Sequence, residues 1–420
     1  MITTNNLSDM YNLDDYDVII VGGGPVGSIT GENIKNKKVL IIEEHQEIGV
    51  PLQCAGIISL KGVKELGNPK GCVNTIKGAY IYTKNNNIKI GNEEIRAKVF
   101  ERKVMDKDIL IRATKNKNID VLLKAYGSLE NIKEDRNNSR FNKLKILKKI
   151  RKNEFNKNIR NKKGNYKLSI KHDNKEYILS PKIIVGADGV RSLLGKKAGL
   201  VTKREIMSSA QLELTNISID NDFVHIFIEK DYCNYFFIWI IPIGKDRVRV
   251  GLCDKTEAYN KLLKFINNHP IGSKILKGGV VTELSVGALP IGYNKSNVKN
   301  NLLLVGDAAG QVKPLSGGGL YYGAKCGKIC GKIITNYLDT PSLNLDYLKK
   351  YDVLWKKEFK KEIDFGINLR KLIYNVNPNM SDKILQTIIK NNLMEFINEK
   401  GDMDNPSIIL KEIVYNKLGI

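Results

Sequence analysis

Apolar residues in this chain gather in short dense runs separated by glycine-rich turns and lysine-rich stretches. The run Asp17–Val21 (Asp-Val-Ile-Ile-Val) predicts a buried strand that stops at Gly22. Pro25–Ile34 follows with helical spacing, and Lys38–Glu43 predicts a second strand buried on both faces, so the chain opens on a βαβ unit. Val104–Lys115 has a helical pattern and Ile119–Lys124 that of a strand. Tyr166–Lys171 and Glu176–Leu179 predict a hairpin leading into a strand at Lys182–Val185. From Val201 to Leu289 the pattern changes to short strands at Ala210–Leu214, Val224–Ile228, Phe236–Ile241 and Arg247–Cys253, with a helix at Ala258–Asn267. That arrangement suits an antiparallel sheet with one face over a pocket. Leu302–Val305 is another buried strand, followed by a glycine-rich turn and a helix over Gly319–Tyr337; from Leu345 onward the spacing predicts amphipathic helices.

The length, 420 residues, allows a large core and two or three domains. The apolar fraction of 42% and charged fraction of 27% are those of a globular protein. The longest apolar run, Tyr235–Ile243, falls far short of the roughly 18 residues that span a bilayer. Met1–Asp15 is polar and acidic without a basic-then-apolar signal pattern, and reads as a flexible lead-in to a cytoplasmic protein. The six cysteines are scattered, so neither a disulfide scaffold nor a structural zinc is implied; Cys326 and Cys330, one helical turn apart, read as packing residues. The formal charge of +23 favours anionic partners, although Lys, Asn and Ile are overused throughout and no nucleic-acid-binding signature accompanies the charge. Within the basic stretch 131–165, Phe141, Leu144, Leu147 and Ile150 recur at threes. This could form a basic amphipathic helix on a membrane surface; the plainer reading is a solvated loop.

Three strand–turn–helix corners carry the chemistry. Gly22, Gly24 and Gly27 fit GxGxxG between a strand and a helix, and Glu43 ends the next strand about twenty residues on. Gly22 permits the turn, Gly24 lets a pyrophosphate approach the helix N-terminus, Gly27 lets helix and strand pack, and Glu43 can accept from ribose hydroxyls. The motif alone does not separate NAD from FAD. Two later corners favour the flavin: Lys182–Leu194 turns on Gly186, Asp188 and Gly189, and Leu302–Gly319 turns on Gly306 and Asp307 into Gly317, Gly318 and Gly319. A carboxylate just past a buried strand can bind a ribityl hydroxyl, or merely cap its own helix. A glycine-rich helix N-terminus offers N–H groups to a flavin pyrimidine that becomes anionic on reduction.

Together these motifs resemble the FAD-dependent superfamily typified by p-hydroxybenzoate hydroxylase. Within it the chain is most similar to the geranylgeranyl reductase family, in its archaeal digeranylgeranylglycerophospholipid reductase branch. The branch resemblance rests on Pro51, Cys54 and Gly56, which match a PxxCxG loop, and on Phe237, Trp239, Ile241 and Pro242, which stand where the family has YxWxFP. Phe at 237 and Ile at 241 depart from that pattern. The resemblance implies a mixed α/β fold: a discontinuous Rossmann-like FAD-binding domain (16–130, 166–200, 297–338), an inserted antiparallel β substrate domain (201–296), a basic insert (131–165), and C-terminal helices (339–420). Gly22, Gly24, Gly27 and Glu43 would hold the ADP half of FAD, and Arg102, with Asp106 one turn on, would contact the cofactor between the glycine loop and the ribityl chain. Asp188 falls on the second cofactor motif, and Asp307 would bind the ribityl hydroxyls. Pro314, Gly317, Gly318 and Gly319 would border the isoalloxazine. Cys54 would lie at the reacting face, and Phe237, Trp239 and Pro242 would line a lipid pocket.

The implied reaction saturates isoprenoid C=C bonds of an archaeal membrane-lipid precursor, with hydride from reduced flavin and a proton from the protein. Cys54 is the candidate proton donor or a shape element beside the flavin; the plainer reading is a small buried hydrophobe. The implied electron donor is NAD(P)H or an acidic ferredoxin, and the protein would be cytoplasmic or peripheral at a membrane. Other readings are an aromatic hydroxylase, a quinone-linked or electron-transfer flavoprotein, and a lipid carrier without flavin.

Overall fold

A computed structural model describes residues 13–52, 54–130, 165–201, 204–376 and 380–411. One six-stranded sheet runs in the order Val298–Lys299, Leu302–Leu304, Ile183–Gly186, Val18–Val21, Val39–Ile42, Ile119–Leu122. Every neighbouring pair is parallel except the first. Val18–Val21 and Val39–Ile42 are buried at every position, as unbroken apolar runs require. One face, with Val18, Ile20, Val39 and Ile41, packs with Tyr322, Cys326 and Cys330 of the helix Leu320–Asp339 and with Trp355 of the helix Lys350–Arg370. The other face, with Ile19, Val21, Leu40 and Ile42, packs on the small sheet Tyr126–Leu129, Leu168–His172, Lys175–Leu179. The predicted βαβ opening is therefore present, with its helix at Pro25–Glu32. Three stretches far apart in sequence, ending at 21, 186 and 304, supply adjacent strands. The helix expected from Val104 starts two residues earlier, at Arg102, because the Glu101 side chain accepts from Lys103 N and caps it.

A seven-stranded sheet runs in the order Val280–Ile291, Glu205–Thr215, Arg247–Asp254, Ile238–Gly244, Phe223–Phe227, Gly78–Tyr82, Asn87–Gly91. It is antiparallel except where Phe223–Phe227 meets Gly78–Tyr82 in parallel. Two strands thus come from outside the expected stretch 201–296. The long edge strand Val280–Ile291 is also unanticipated. Its Val280, Val281, Leu284 and Val286 are all more than half exposed, so the inside–outside alternation that marks a strand is missing. The helix Ala258–Asn268 covers one face through Leu262 and Phe265. Ile81 and Ile88 pack with Ile384, Leu385 and Ile388 of the helix Met380–Lys390. A small sheet (Ile57–Ser59, Ala97–Phe100, Cys72–Ile76) comes from the stretch between Val39–Ile42 and Ile119–Leu122.

The amphipathic pattern of Phe141, Leu144, Leu147 and Ile150 lies outside the described residues. Among the described residues no helix is long and apolar enough to cross a membrane.

Candidate functional site

The three corners lock onto one another through positions where only glycine fits. Gly22 has φ +111°, and a Cβ there would lie 2.2 Å from the Ala187 carbonyl oxygen of the second corner. A Cβ on Gly27 would lie 2.1 Å from the Gly22 oxygen. Gly24, by contrast, faces open space, with nothing within 4 Å of its Cβ position. It is the N-cap of Pro25–Glu32, and no side chain caps that helix. Its terminal N–H groups and positive end are left for an anion. Glu43 ties the loop down: one oxygen accepts from Gly23 N at 2.9 Å, the other from His45 N at 3.0 Å.

At the third corner Gly306 (φ +63°) packs on Val26, and its N–H donates to Gln311 Oε1 at 2.9 Å. Asp307 is half-buried, and its Oδ1 lies 2.9 Å from the Cβ position of Gly319. Burial raises its pKa against the opposing pull of Arg204 and Arg102. Among the described residues its carboxylate accepts no hydrogen bond. Asp188 behaves differently: it accepts from Ser192 Oγ at 2.8 Å and from Leu194 N at 3.0 Å, so its carboxylate caps the short helix Leu193–Lys197. Burial raises its pKa as well.

Arg204, which the sequence did not single out, staples the second corner to the third. Its Nη2 donates to Val190 O at 2.8 Å and its Nη1 to Ala308 O at 3.3 Å, while its Nε is buried with no partner among the described residues. Burial lowers its pKa, with Asp307 and Asp188 acting in the opposite sense. The groups at these corners fit a flavin dinucleotide: an uncapped helix end facing open space and, among the described residues, a buried donor at Arg204 and a carboxylate at Asp307 that make no hydrogen bond.

Cys54 is half-buried and accepts from Gly56 N at 3.5 Å. Its sulfur also interacts with the Arg102 guanidinium, which forms a two-pronged pair with Asp106 at 2.9 and 2.8 Å. Burial opposes the Arg102 charge, but Asp106 and Cys54 together outweigh it and raise its pKa. A second arginine that the sequence did not mark, Arg249, holds this pair in register from the seven-stranded sheet. It is 1% exposed, and its Nη1 donates to Ala55 O at 3.1 Å and to Phe100 O at 3.0 Å. Its Nη2 meets Glu101 at 3.0 Å and its Nε meets Glu213 at 3.3 Å. The loop after Cys54 and the residues before Arg102 thus share one guanidinium.

In front of the corners stands one face of the seven-stranded sheet. Trp239 lies across Gly251, whose Cβ position is 2.5 Å from the indole, and its Nε1 donates to Gln211 at 3.1 Å. Phe237 meets Trp239 edge-on at 6.1 Å and stacks on Phe236 at 4.4 Å. Phe236, rather than Phe237, reaches the glycine turn: with Leu289 it surrounds Gly317 (φ +73°). Strand alternation puts Pro242 on the opposite face from Trp239, and its carbonyl accepts from Asn74. Pro314 is held by the C-terminal helices. Arg370 Nη1 donates to its carbonyl at 3.3 Å and Nη2 to Tyr235 O at 2.8 Å. The Cβ position of Gly366 lies 3.2 Å from the Pro314 ring.

No protein-family model matches the chain. An uncharacterized protein of Methanocaldococcus jannaschii is 53% identical over 395 residues, covering 94% of this chain and 93% of its own. A digeranylgeranylglycerophospholipid reductase of Methanococcus vannielii is 30% identical over 392 residues, covering 90% and 92%. The fold is shared with the crystal structure of a geranylgeranyl bacteriochlorophyll reductase-like protein from Thermoplasma acidophilum, with TM-score 0.75, 24% identity and coverage of 89% and 91%. The likeness to the Methanococcus reductase runs through nearly the whole of both chains. On that identity and coverage the chain belongs to the digeranylgeranylglycerophospholipid reductase family.

Proposed function

We propose that this chain is an FAD-dependent reductase that saturates the C=C bonds of geranylgeranyl chains in an archaeal ether phospholipid precursor. The observation that carries the reading is the interlocking of the three glycine corners, with Cys54 within the electrostatic reach of Arg102. Family membership supports the lipid substrate over an aromatic hydroxylase or a quinone-linked flavoprotein.

In this reading the FAD-binding unit is assembled from 16–130, 166–200 and 297–338. The substrate unit is 201–296 completed by two strands that the first of these stretches lends it, Gly78–Tyr82 and Asn87–Gly91, and the helices Lys350–Arg370 and Met380–Lys390 buttress the two units. Gly22, Gly24, Gly27 and Glu43 hold the ADP half, Arg102 and Asp307 the middle of the cofactor, and Pro314 with Gly317, Gly318 and Gly319 the ring edge. Asp188 acts on the cofactor through the corner that it caps. When bound, FAD supplies the reducing equivalent that an unactivated alkene needs. The chain's own work is to keep the alkene dry against Phe236, Phe237, Trp239 and Leu289, and to deliver a proton from Cys54 Sγ. Arg102 stands next to the thiolate that this leaves behind and balances its charge.

The electrons come from NAD(P)H or an acidic ferredoxin. The formal charge of +23 supports the latter by complementarity, and the rate by that route then falls steeply with salt in anaerobic turnover. Peripheral contact with a membrane surface fits the same charge.

Mass spectrometry of lipids from a host making unsaturated archaeal ether lipids tests the function. Expression yields a ladder of products, each heavier by one H₂, and Cys54→Ala with flavin still bound shortens it. A wild-type protein that purifies without flavin absorbance, or a lipid profile unchanged by it, overturns the proposal.

A further inference from the structure

We infer that the segment around Asp404 belongs to the cofactor-facing site, where its ion pair with Lys313 sets the charge beside the Gly317–Gly319 turn and thereby tunes the flavin's reduction potential. The inference rests on the FAD reading above and extends it to a segment some ninety residues beyond the last glycine corner. Lys313 brackets that turn: its carbonyl accepts from Gly317 N at 2.9 Å, and its N–H donates to Gly318 O at 3.2 Å. Its side chain then folds back under the turn, so that a Cβ on Gly318 would lie 2.7 Å from Lys313 Cε and 3.2 Å from Nζ. The side chain is 9% exposed, and its ammonium donates to Asp404 Oδ1 at 2.9 Å and to Met403 O at 3.1 Å.

Asp404 is fully buried and held from several sides. Its second oxygen accepts from Ser59 Oγ at 2.6 Å, its carbonyl from Tyr322 OH at 3.2 Å, and its N–H donates to Asp402 Oδ1 at 2.8 Å. Lys61 pins Asp402 at the rim at 2.6 Å. Stability alone does not account for such a pair, because a well-packed apolar pair of similar volume holds two segments together equally well or better. What an ion pair adds is a field, and in a dry site a full charge is felt over several ångströms. Reduction places negative charge on the flavin's pyrimidine edge, which a nearby cation stabilises. Lys313 supplies that cation, and Asp404 tempers it.

Anaerobic redox titration of the flavin-loaded protein against an indicator dye provides the test. At the ambient potential where wild type is half reduced, Asp404→Asn shifts the reduced-to-oxidised ratio up by about tenfold, or ~30 mV for a two-electron couple. Lys313→Met shifts it down by a similar factor, Lys313→Arg leaves it in place, and the double variant Lys313→Met/Asp404→Asn returns it toward wild type. A merely structural contact does not give opposite signs that cancel. Single variants that keep their flavin and leave the ratio unchanged, or move it in the same direction, overturn the inference. Asp404→Asn is isosteric and decides the matter alone if Lys313→Met does not fold. A wild-type protein that binds no flavin is a different failure, since it removes the FAD reading and the inference with it.

Discussion

The cofactor side of this molecule is held together by two kinds of joint. Where the three strand ends meet, the joint is made of missing atoms: Gly22 lies against Ala187 and Gly27 against Gly22, both backbone-close, and Gly306 against the Val26 side chain. Around the corners, where other elements join them, the joint is made of long side chains. Arg249 reaches Ala55 and Phe100, Arg370 reaches Pro314 and Tyr235, and Arg204 links Val190 to Ala308. At Gly22 and Gly27 the first kind tolerates no added carbon, because both partners are backbone. The second depends on donors being in number and place: Arg249 satisfies two carbonyls and two carboxylates at once, and no other side chain has the fork to do so.

Substitutions at each joint sharpen the contrast. Gly22→Val adds a clash at 2.2 Å to a φ of +111°, and it costs about 4–6 kcal/mol of stability, enough to abolish a measurable melting transition. Recovery of a folded, flavin-coloured Gly22→Val protein breaks the account of the corners. Arg249→Met leaves Glu101 and Glu213 without their shared cation and costs about 3–5 kcal/mol in urea unfolding, whereas Arg249→Met/Glu213→Gln recovers part of the loss. Equal losses in the single and double variants remove the charge argument for this seam.

His225, away from both joints, gives a pH-dependent comparison. Burial lowers its pKa from 6.5 to about 4, with Asp220 only partly offsetting this; its Nδ1 meets Tyr82 OH at 3.0 Å and its Nε2 has no partner among the described residues. The folded state therefore holds it neutral. Its contribution is fully present above the unfolded pKa and is lost as pH falls from about 6.5 to about 4, amounting to about 2–3 kcal/mol. Melting temperature followed across that window falls in the wild type and falls less in His225→Gln. The smallest effect belongs to Gln211→Leu, which strands the Trp239 Nε1 donor and costs about 1–2 kcal/mol by the same melting assay.

The corners were legible in the sequence because the requirement for glycine is local: a residue at positive φ pressed on a backbone oxygen needs no knowledge of its distant partners. The arginine seam was not. Arg249, Arg204 and Arg370 look like ordinary surface cations until the fold brings their partners to them; Arg249 and Ala55 are 194 positions apart. The same limit hid Asp404, whose partner Ser59 is 345 positions away. Asp188 reads identically as a ligand or a cap, and only Ser192 and Leu194 show which use its oxygens are put to. The strands Gly78–Tyr82 and Asn87–Gly91 were invisible as members of the second sheet, since sheet membership is a matter of non-local pairing.

The order in which the parallel strands are laid down constrains how the protein is made. The central strand, Val18–Val21, leaves the ribosome early, yet one neighbour, Ile183–Gly186, is synthesised more than 160 residues later, and the next, Leu302–Leu304, later still. Until then the nascent chain carries a greasy, unpaired strand edge of the kind that recruits chaperones. A chain that stops before that final strand lacks the whole third corner, Asp307 and the Gly317–Gly319 turn included.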